Sequence, residues 1–524
     1  MRDFQIPGRS PVLATEGMCA TSHPLAALTA IDILRRGGTA MDAAIAGAVM
    51  LGLCEPQMTG IGGDAFVLWT RGAGDEVRAL NGSGRAPAGA DPQALRDRGL
   101  SAVPVDGAEA ATLPGAIDAF CRLADTEGRL GIDALLAPAI EAAERGVPVA
   151  PRVAFDWATD ADRLSGAARR HYLFDGRAPA PGTLFRAPGQ AEVLRGVARD
   201  GARAFYEGAV AEDMLAALTA RGGVHAAEDF AAVEATGAQP IAGDYRGREL
   251  IEHPPNGQGA AAILLAQILA EFDLAALDPL GPERAHLEAE AWKLAEDARN
   301  RFIGDPEAAQ AERLTDPETA RRLAALIRPD AVLPDPAPLA EAIHRDTVYI
   351  TVVDRDRSAV SLIYSIFHGF GSGIASDRFG ILLHNRGAGF TLTPGHPNEY
   401  GARKRPLHTI IPAMLREGGR VTMPFGVMGG AYQPTGHARV LSNLADYGMD
   451  PQAAIDAPRA FADGGVLKLE RGYPDASRQA LAALGHTVVT PERPVGGGQA
   501  ILIRNDGVLE GASDPRKDGC ALGY

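Results

Sequence analysis

The sequence predicts an α+β fold, a layered sheet with helices outside, on three observations. β-Branched, alternating segments stand towards both ends of the chain. Helical patterns fill the stretch between them. One early helix presents a face of alanine and glycine, which suits close packing against a sheet.

The first helix is expected from about Pro24 to Arg36. Ser22 is placed to cap it, Pro24 suits the first turn, and Gly37-Gly38 ends it. A second helix is expected over Ala40–Leu53, capped by Thr39, with Ala43, Ala44, Ala46, Gly47 and Ala48 as its small face. A glycine-rich turn, Thr59 to Gly63, leads into an apolar strand, Ala65–Trp69. Residues 112 to 330 read as mainly helical, for example Ala116–Leu123, Ile132–Arg145 and His286–Arg301. A Pro-, Ala- and Asp-rich stretch, Ile327 to Pro338, reads as a surface linker. Beyond it Thr347–Val353 is β-branched and alternating, Arg355-Asp356-Arg357 turns the chain, and Ala359–Ile366 is a second strand. Ala500–Arg504 adds a strand near the end.

Composition narrows the partners. Apolar residues make up 46% and charged residues 22% of 524, as in a soluble globular protein. A net charge of -15 repels phosphate backbones, so no nucleic acid is expected. Four scattered cysteines, Cys19, Cys54, Cys121 and Cys520, read as reduced thiols. The start of the sequence shows no basic, apolar leader. The most apolar stretch, Ala40 to Leu53, contains Asp42 and is too short to span a bilayer. A cytoplasmic protein with no membrane contact is expected.

Motifs narrow the chemistry. The twelve histidines form neither HExxH nor HxH, so zinc hydrolysis is not expected. GxxxxGK[ST] and GxSxG are also absent. Gly60-x-Gly62-x-x-Ala65 has dinucleotide-like spacing, but it follows a helix and opens a strand, the reverse of the nucleotide-binding order. It reads as a turn.

The Asp346-Thr347 step then stands out. A threonine hydroxyl holds its proton at neutral pH. If Thr347 were the first residue of a chain, its own α-amine, with a pKa near ~8, could accept that proton. The chain would first have to break between Asp346 and Thr347, giving residues 1–346 and 347–524. Periodicity alone leaves Thr347 open to the plainer reading, an ordinary strand residue.

Asp346 to Asp354, a threonine followed by a β-branched strand and Val-Val-Asp, resembles the start of the small subunit in the gamma-glutamyltranspeptidase family. Further blocks follow in order along nearly the whole chain. They include Gly37 to Ala44, Gly60-Ile61-Gly62-Gly63, Pro114-Gly115, Phe205 to Gly208, Pro254-Pro255, Arg299-Asn300-Arg301, Gly304-Asp305-Pro306, Gly448 to Pro451, Asp456 to Arg459 and Ser513 to Arg516. The resemblance implies a four-layer αββα sandwich of the N-terminal nucleophile hydrolase type. It implies self-cleavage into a large subunit (1–346) and a small subunit (347–524), intertwined in one domain. It also implies attack by Thr347 on an amide, through an acyl-enzyme resolved by water or an acceptor amine. Ser365 stands where the family has a threonine bonded to the nucleophile. Gly429-Gly430 match the pair whose backbone N–H groups form the oxyanion hole. No metal or organic cofactor is implied.

The substrate positions depart from the family. Asn81-Gly82-Ser83-Gly84-Arg85-Ala86-Pro87 puts Ser83 at the place of the arginine that grips a glutamyl α-carboxylate, with Arg85 two residues on. Phe367 replaces an asparagine, Ala388 replaces the aspartate for the α-amine, and His408-Thr409 replaces a serine pair. A zwitterionic glutamyl head would lose both charge partners. A branch with N-G-S-G-R-A-P resembles oxamate amidohydrolase, and Arg85, Arg386, His408 and Thr409 are candidate contacts for a small anion. The expected function is hydrolysis of, or acyl transfer from, a small amide. The alternatives are a γ-glutamyl transferase or hydrolase acting on glutathione or related compounds, and a catalytically silent binding protein of the same fold. Further homo-oligomerisation of the cut protein is left open.

Overall fold

The computed structural model describes residues 5, 8–74, 76–333 and 347–524. Asp346 and the linker beyond Leu333 lie outside the described residues.

Two seven-stranded antiparallel sheets are stacked face to face. The first runs, edge to edge, Cys520–Gly523, Met18–Thr21, Val348–Val353, Ala359–Ser365, Asp64–Trp69, Arg78–Gly82, Thr236–Ala238. The second runs Val12–Ala14, Leu509–Ser513, Gly497–Ile503, Arg420–Met428, Ala413–Glu417, Arg248–Glu252, Ile241–Tyr245. The expected strands 65–69, 347–353, 359–366 and 500–504 thus sit centrally, within a residue or a few of their expected ends.

The two-residue period of the strand after Thr347 builds the layers. Val348, Ile350 and Val352 point to the outer helices and belong to their core. Tyr349 and Val353 point to the other sheet. Helices Pro24–Arg35, Ala40–Cys54, Ala116–Glu127 and Ile132–Arg145 cover the first sheet. Gly259–Ala270, Pro282–Phe302 and Gln433–Ala445 cover the second. The small face of Ala40–Cys54 has a physical reason: a Cβ on Gly47 would stand 2.4 Å from Ile350 Cδ1. Helix therefore rests directly on the strand that Thr347 opens.

The caps are partly as expected. Thr39 closes a capping box with Asp42, whose N–H donates to Thr39 Oγ1 at 3.1 Å while Asp42 Oδ2 accepts from Thr39 N at 2.8 Å. The first helix is capped by His23, not Ser22: Leu25 N donates to His23 Nδ1 at 3.2 Å. The Ser22 hydroxyl donates instead to the carboxyl group of Glu55, which is buried and needs a donor more than an accessible helix end does. Besides a two-residue pair, Val147–Pro148 with Leu184–Phe185, the stretch read as helical contains three strands of the large sheets, Thr236–Ala238, Ile241–Tyr245 and Arg248–Glu252. Two of these are sheet edges, only half-buried, so their sequence carries little apolar alternation. All four cysteines are free. Among the described residues, no helix is long and apolar enough to cross a membrane.

Candidate active site

Register brings the two hydroxyls together. Val348 pairs with Tyr364 across antiparallel strands, so Thr347 falls opposite Ser365. Both have the parity of Tyr349 and Ile363, which face the second sheet. Their eighteen-residue separation is therefore the length of one hairpin. Thr347 Oγ1 donates to Ser365 Oγ at 3.3 Å, and both residues are buried. Ser365 Oγ also accepts from Phe367 N at 2.8 Å, which fixes its direction.

Gly429-Gly430 close the opposite sheet at the same end. Strand Arg420–Met428 passes from Phe425, whose carbonyl accepts from Ser361, to Met428, packed with Tyr349 and Ile363. It thus advances towards Thr347 and Ser365 before the glycines turn it into helix Gln433–Ala445. Gly429 has φ +116°, and a Cβ there would stand 2.8 Å from Gly496 Cα. Only glycine meets both conditions.

The positions expected from sequence to meet a substrate are reached from Ser365 through Phe367. Phe367 adopts φ +80°, a costly backbone for a bulky residue, and its ring lies under the Arg386 guanidinium at 4.3 Å. Arg386 is fully buried, and its Nη1 donates to Thr409 Oγ1 at 3.3 Å. His408 turns the other way, with Nε2 2.7 Å from Asp64 Oδ2. Ser83 is buried and donates to Asn81 Oδ1 at 2.6 Å. Ala388 sits in the turn Arg386–Gly389 and carries no polar side chain. Arg85 points elsewhere: it is half-buried, and its Nη1 donates to the Arg403 carbonyl at 2.8 Å. The cation in contact with Phe367 and Thr409 is Arg386.

Three residues were not singled out from sequence. Asp64 lies opposite Ser365 in the sheet register and is fully buried. Burial would raise its carboxyl, but His384, His408 and Arg386 hold it below the ordinary carboxylate range. Burial lowers His408 to about 4, with Arg386 adding to the effect, so its ring is neutral. Asn256 donates from Nδ2 to the Pro406 carbonyl at 2.8 Å and lies 2.9 Å from His408 Nδ1. Gln258 is the third. Its Nε2 donates to the carbonyls of Thr409 (2.7 Å) and Gly430 (2.9 Å), and its Oε1 accepts from Arg299 at 2.8 Å. One buried amide thus ties the glycine turn to Thr409. The only sequence trace of this was the Arg299-Asn300-Arg301 block, which gave no reason for itself.

Gln258→Leu is expected to leave two buried carbonyls and an arginine short of a partner, at about 1–3 kcal/mol of stability. It should also loosen Gly429-Gly430, lowering kcat about tenfold or more with little change in KM. Chemical denaturation and steady-state kinetics measure the two effects. Unchanged kcat would mean that the turn holds itself.

Comparison with known proteins agrees with this architecture. The family model for gamma-glutamyltranspeptidase matches residues 26–524. A glutathione hydrolase-like proenzyme of Bacillus subtilis (strain 168) is 35% identical over 98% of this chain and 99% of its own length. An oxamate amidohydrolase proenzyme of Klebsiella pneumoniae subsp. pneumoniae is 34% identical over 98% and 99%. The crystal structure of a cephalosporin acylase from Bacillus halodurans superposes with a TM-score of 0.92 at 38% identity, covering 100% of this chain and 99% of that one. The chain is therefore an enzyme with the αββα fold of the N-terminal nucleophile hydrolases, and it belongs to the gamma-glutamyltranspeptidase family.

Proposed function

We propose that this protein is a self-processing amidohydrolase or acyltransferase, cut between Asp346 and Thr347, whose new N-terminal threonine attacks a small amide bearing an anionic group. The observation that carries the reading is the facing pair Thr347–Ser365, held at the same end of the sandwich as the Gly429-Gly430 turn. The proenzyme names of the relatives support the cleavage.

In this reading Thr347 Oγ1 bonds to the substrate carbonyl carbon while its proton passes to the Thr347 α-amine. Ser365 orients the hydroxyl. The N–H groups of Gly429 and Gly430 receive the oxyanion. The amide C–N bond then breaks, the leaving nitrogen takes the proton, and an ester on Thr347 remains. Water or an acceptor amine resolves it.

Arg386 selects the substrate. A buried guanidinium beside a threonine hydroxyl matches a compact carboxylate. Ala388 offers nothing to an α-ammonium group, which favours an oxamate-like substrate over a γ-glutamyl one. The glutathione hydrolase-like relative keeps the second as the competing reading.

Two assays on mature protein separate them: release of ammonia from oxamate, and of the aniline from a γ-glutamyl anilide. Activity on oxamate is expected, with kcat/KM falling roughly 10- to 100-fold in Arg386→Gln, mainly through KM, as befits one lost charge-assisted contact. Turnover of the anilide alone would replace the oxamate-like reading with the γ-glutamyl one. Equal kinetics in Arg386→Gln would remove Arg386 from recognition.

A further inference from the structure

A second cluster lies on the outer helical layer of the second sheet, on elements that do not carry Thr347. Helix Pro282–Phe302 places His286 and Glu290 four residues apart, on one face. His486, from the turn before Val488–Val489, meets them there. All three are buried, and one ligand atom from each lies within 4.8 Å of the others.

Hydrogen bonds around the cluster fix which atoms face inward. His286 Nε2 is 2.7 Å from the Arg328 carbonyl, which can only accept, so the ring proton sits on Nε2. His286 Nδ1 then faces His486 Nε2, 2.8 Å away. Glu290 Oε2 accepts from Leu333 N at 2.6 Å, and Oε1 accepts from Lys293 Nζ at 2.8 Å. An imidazole whose outer N–H is held by a backbone carbonyl, beside a carboxylate oriented by its own donor, is the surrounding that metal-binding histidines require.

We propose that His286 Nδ1, His486 Nε2 and Glu290 form a site for one divalent transition ion of the zinc type, with water in the fourth position. Two imidazoles and a carboxylate suit Zn²⁺ and also accept Co²⁺ and Ni²⁺. Binding needs no covalent change: the His486 ring proton moves through solvent from Nε2 to Nδ1. The Lys293 ammonium, whose side chain keeps 13% exposure, turns outward from Oε1. The ion would then clamp the helix, the turn at His486 and the segment from Arg328 to Leu333, which is a structural role. The ligands are spread widely in sequence, so no short motif announces them.

The test is titration of chelator-treated mature protein with Zn²⁺ by calorimetry and with Co²⁺ by visible absorption. One equivalent is expected, with a tetrahedral Co²⁺ band and a raised Tm in Zn²⁺. His486→Ala and Glu290→Gln should each weaken binding at least tenfold and abolish the band. Lys293→Ala, which removes the competing ammonium, should tighten binding. Circular dichroism and retained amide hydrolysis show that the variants are folded. A Co²⁺ band unchanged in His486→Ala, or wild type binding no more tightly than that variant, would overturn the site.

Discussion

Thr347→Ala is expected to purify as one uncut polypeptide and to lose essentially all amide hydrolysis, a fall on the order of 10⁴-fold or more. The size follows from one atom serving two reactions. In the proposed scheme the Thr347 hydroxyl attacks the preceding carbonyl during maturation and the substrate carbonyl afterwards. Its removal leaves neither a nucleophile nor the free α-amine that would activate one. The fold should survive, since the 3.3 Å hydrogen bond to Ser365 that goes with the hydroxyl contributes about 1 kcal/mol. Intact-mass spectrometry of wild type and variant, followed by assay of both, measures the result. Thr347→Ser keeps the oxygen and should still be cut. Ser365→Ala should be milder, because it removes an orienting partner and not the attacking group. Two fragments from Thr347→Ala, or retained turnover, would end the nucleophile assignment.

What the sequence revealed was governed by local rules. The strand after Thr347 alternates because one face meets helices and the other a sheet, so its period survives in the letters. Thr39 and Asp42 lie three residues apart and cap a helix by a short-range bond. The Thr347–Ser365 pair was expected from the family resemblance alone, and the hairpin register supplies the physical reason for the contact. The unread parts depend on distant partners. Ser22 looks like a cap until Glu55, thirty-three residues away, claims its hydroxyl. The hairpin Ile241–Tyr245 with Arg248–Glu252 includes a half-exposed edge strand with little alternation. Arg85 and Arg386 were equivalent candidates as letters. Burial against Phe367 and Thr409 distinguishes the second. Asp64 passed unnoticed as the residue after a glycine turn, because its histidine partners are more than three hundred residues downstream.

Asp64→Asn carries the other large expected effect, and its direction follows from the donors that meet on the carboxylate. Ser83 donates to Asn81 Oδ1 and Asn81 Nδ2 to Asn256 Oδ1 at 2.8 Å, while Asn256 Nδ2 and the Pro406 carbonyl both stand against His408 Nδ1, at 2.9 and 2.8 Å. The Asp64 carboxylate can only accept, so His408 donates to its Oδ2 from Nε2 at 2.7 Å. The other carboxylate oxygen accepts from Gly84 N (3.1 Å) and Gly115 N (3.2 Å). Three donors, His408 Nε2 and the two glycine N–H groups, thus converge on this carboxylate, which is also a counter-charge for Arg386. An asparagine fits the space, but its amide must turn an N–H towards His408 or towards the glycine N–H groups. It also leaves Arg386 less compensated. A loss of about 3 kcal/mol is expected at pH 7, as for a broken buried ion pair. The pH dependence supplies a separate check. The folded carboxyl lies below its ordinary 3.8, so its stabilisation is full above that value and is lost as pH falls through the folded pKa. The gap between wild type and Asp64→Asn in urea unfolding should therefore be widest near neutrality and narrow in acid. Because the variant also frees His408 and Arg386 to shift, kcat/KM for the proposed small anionic amide should fall with stability. A gap that stayed constant with pH would assign the loss to shape and not to charge.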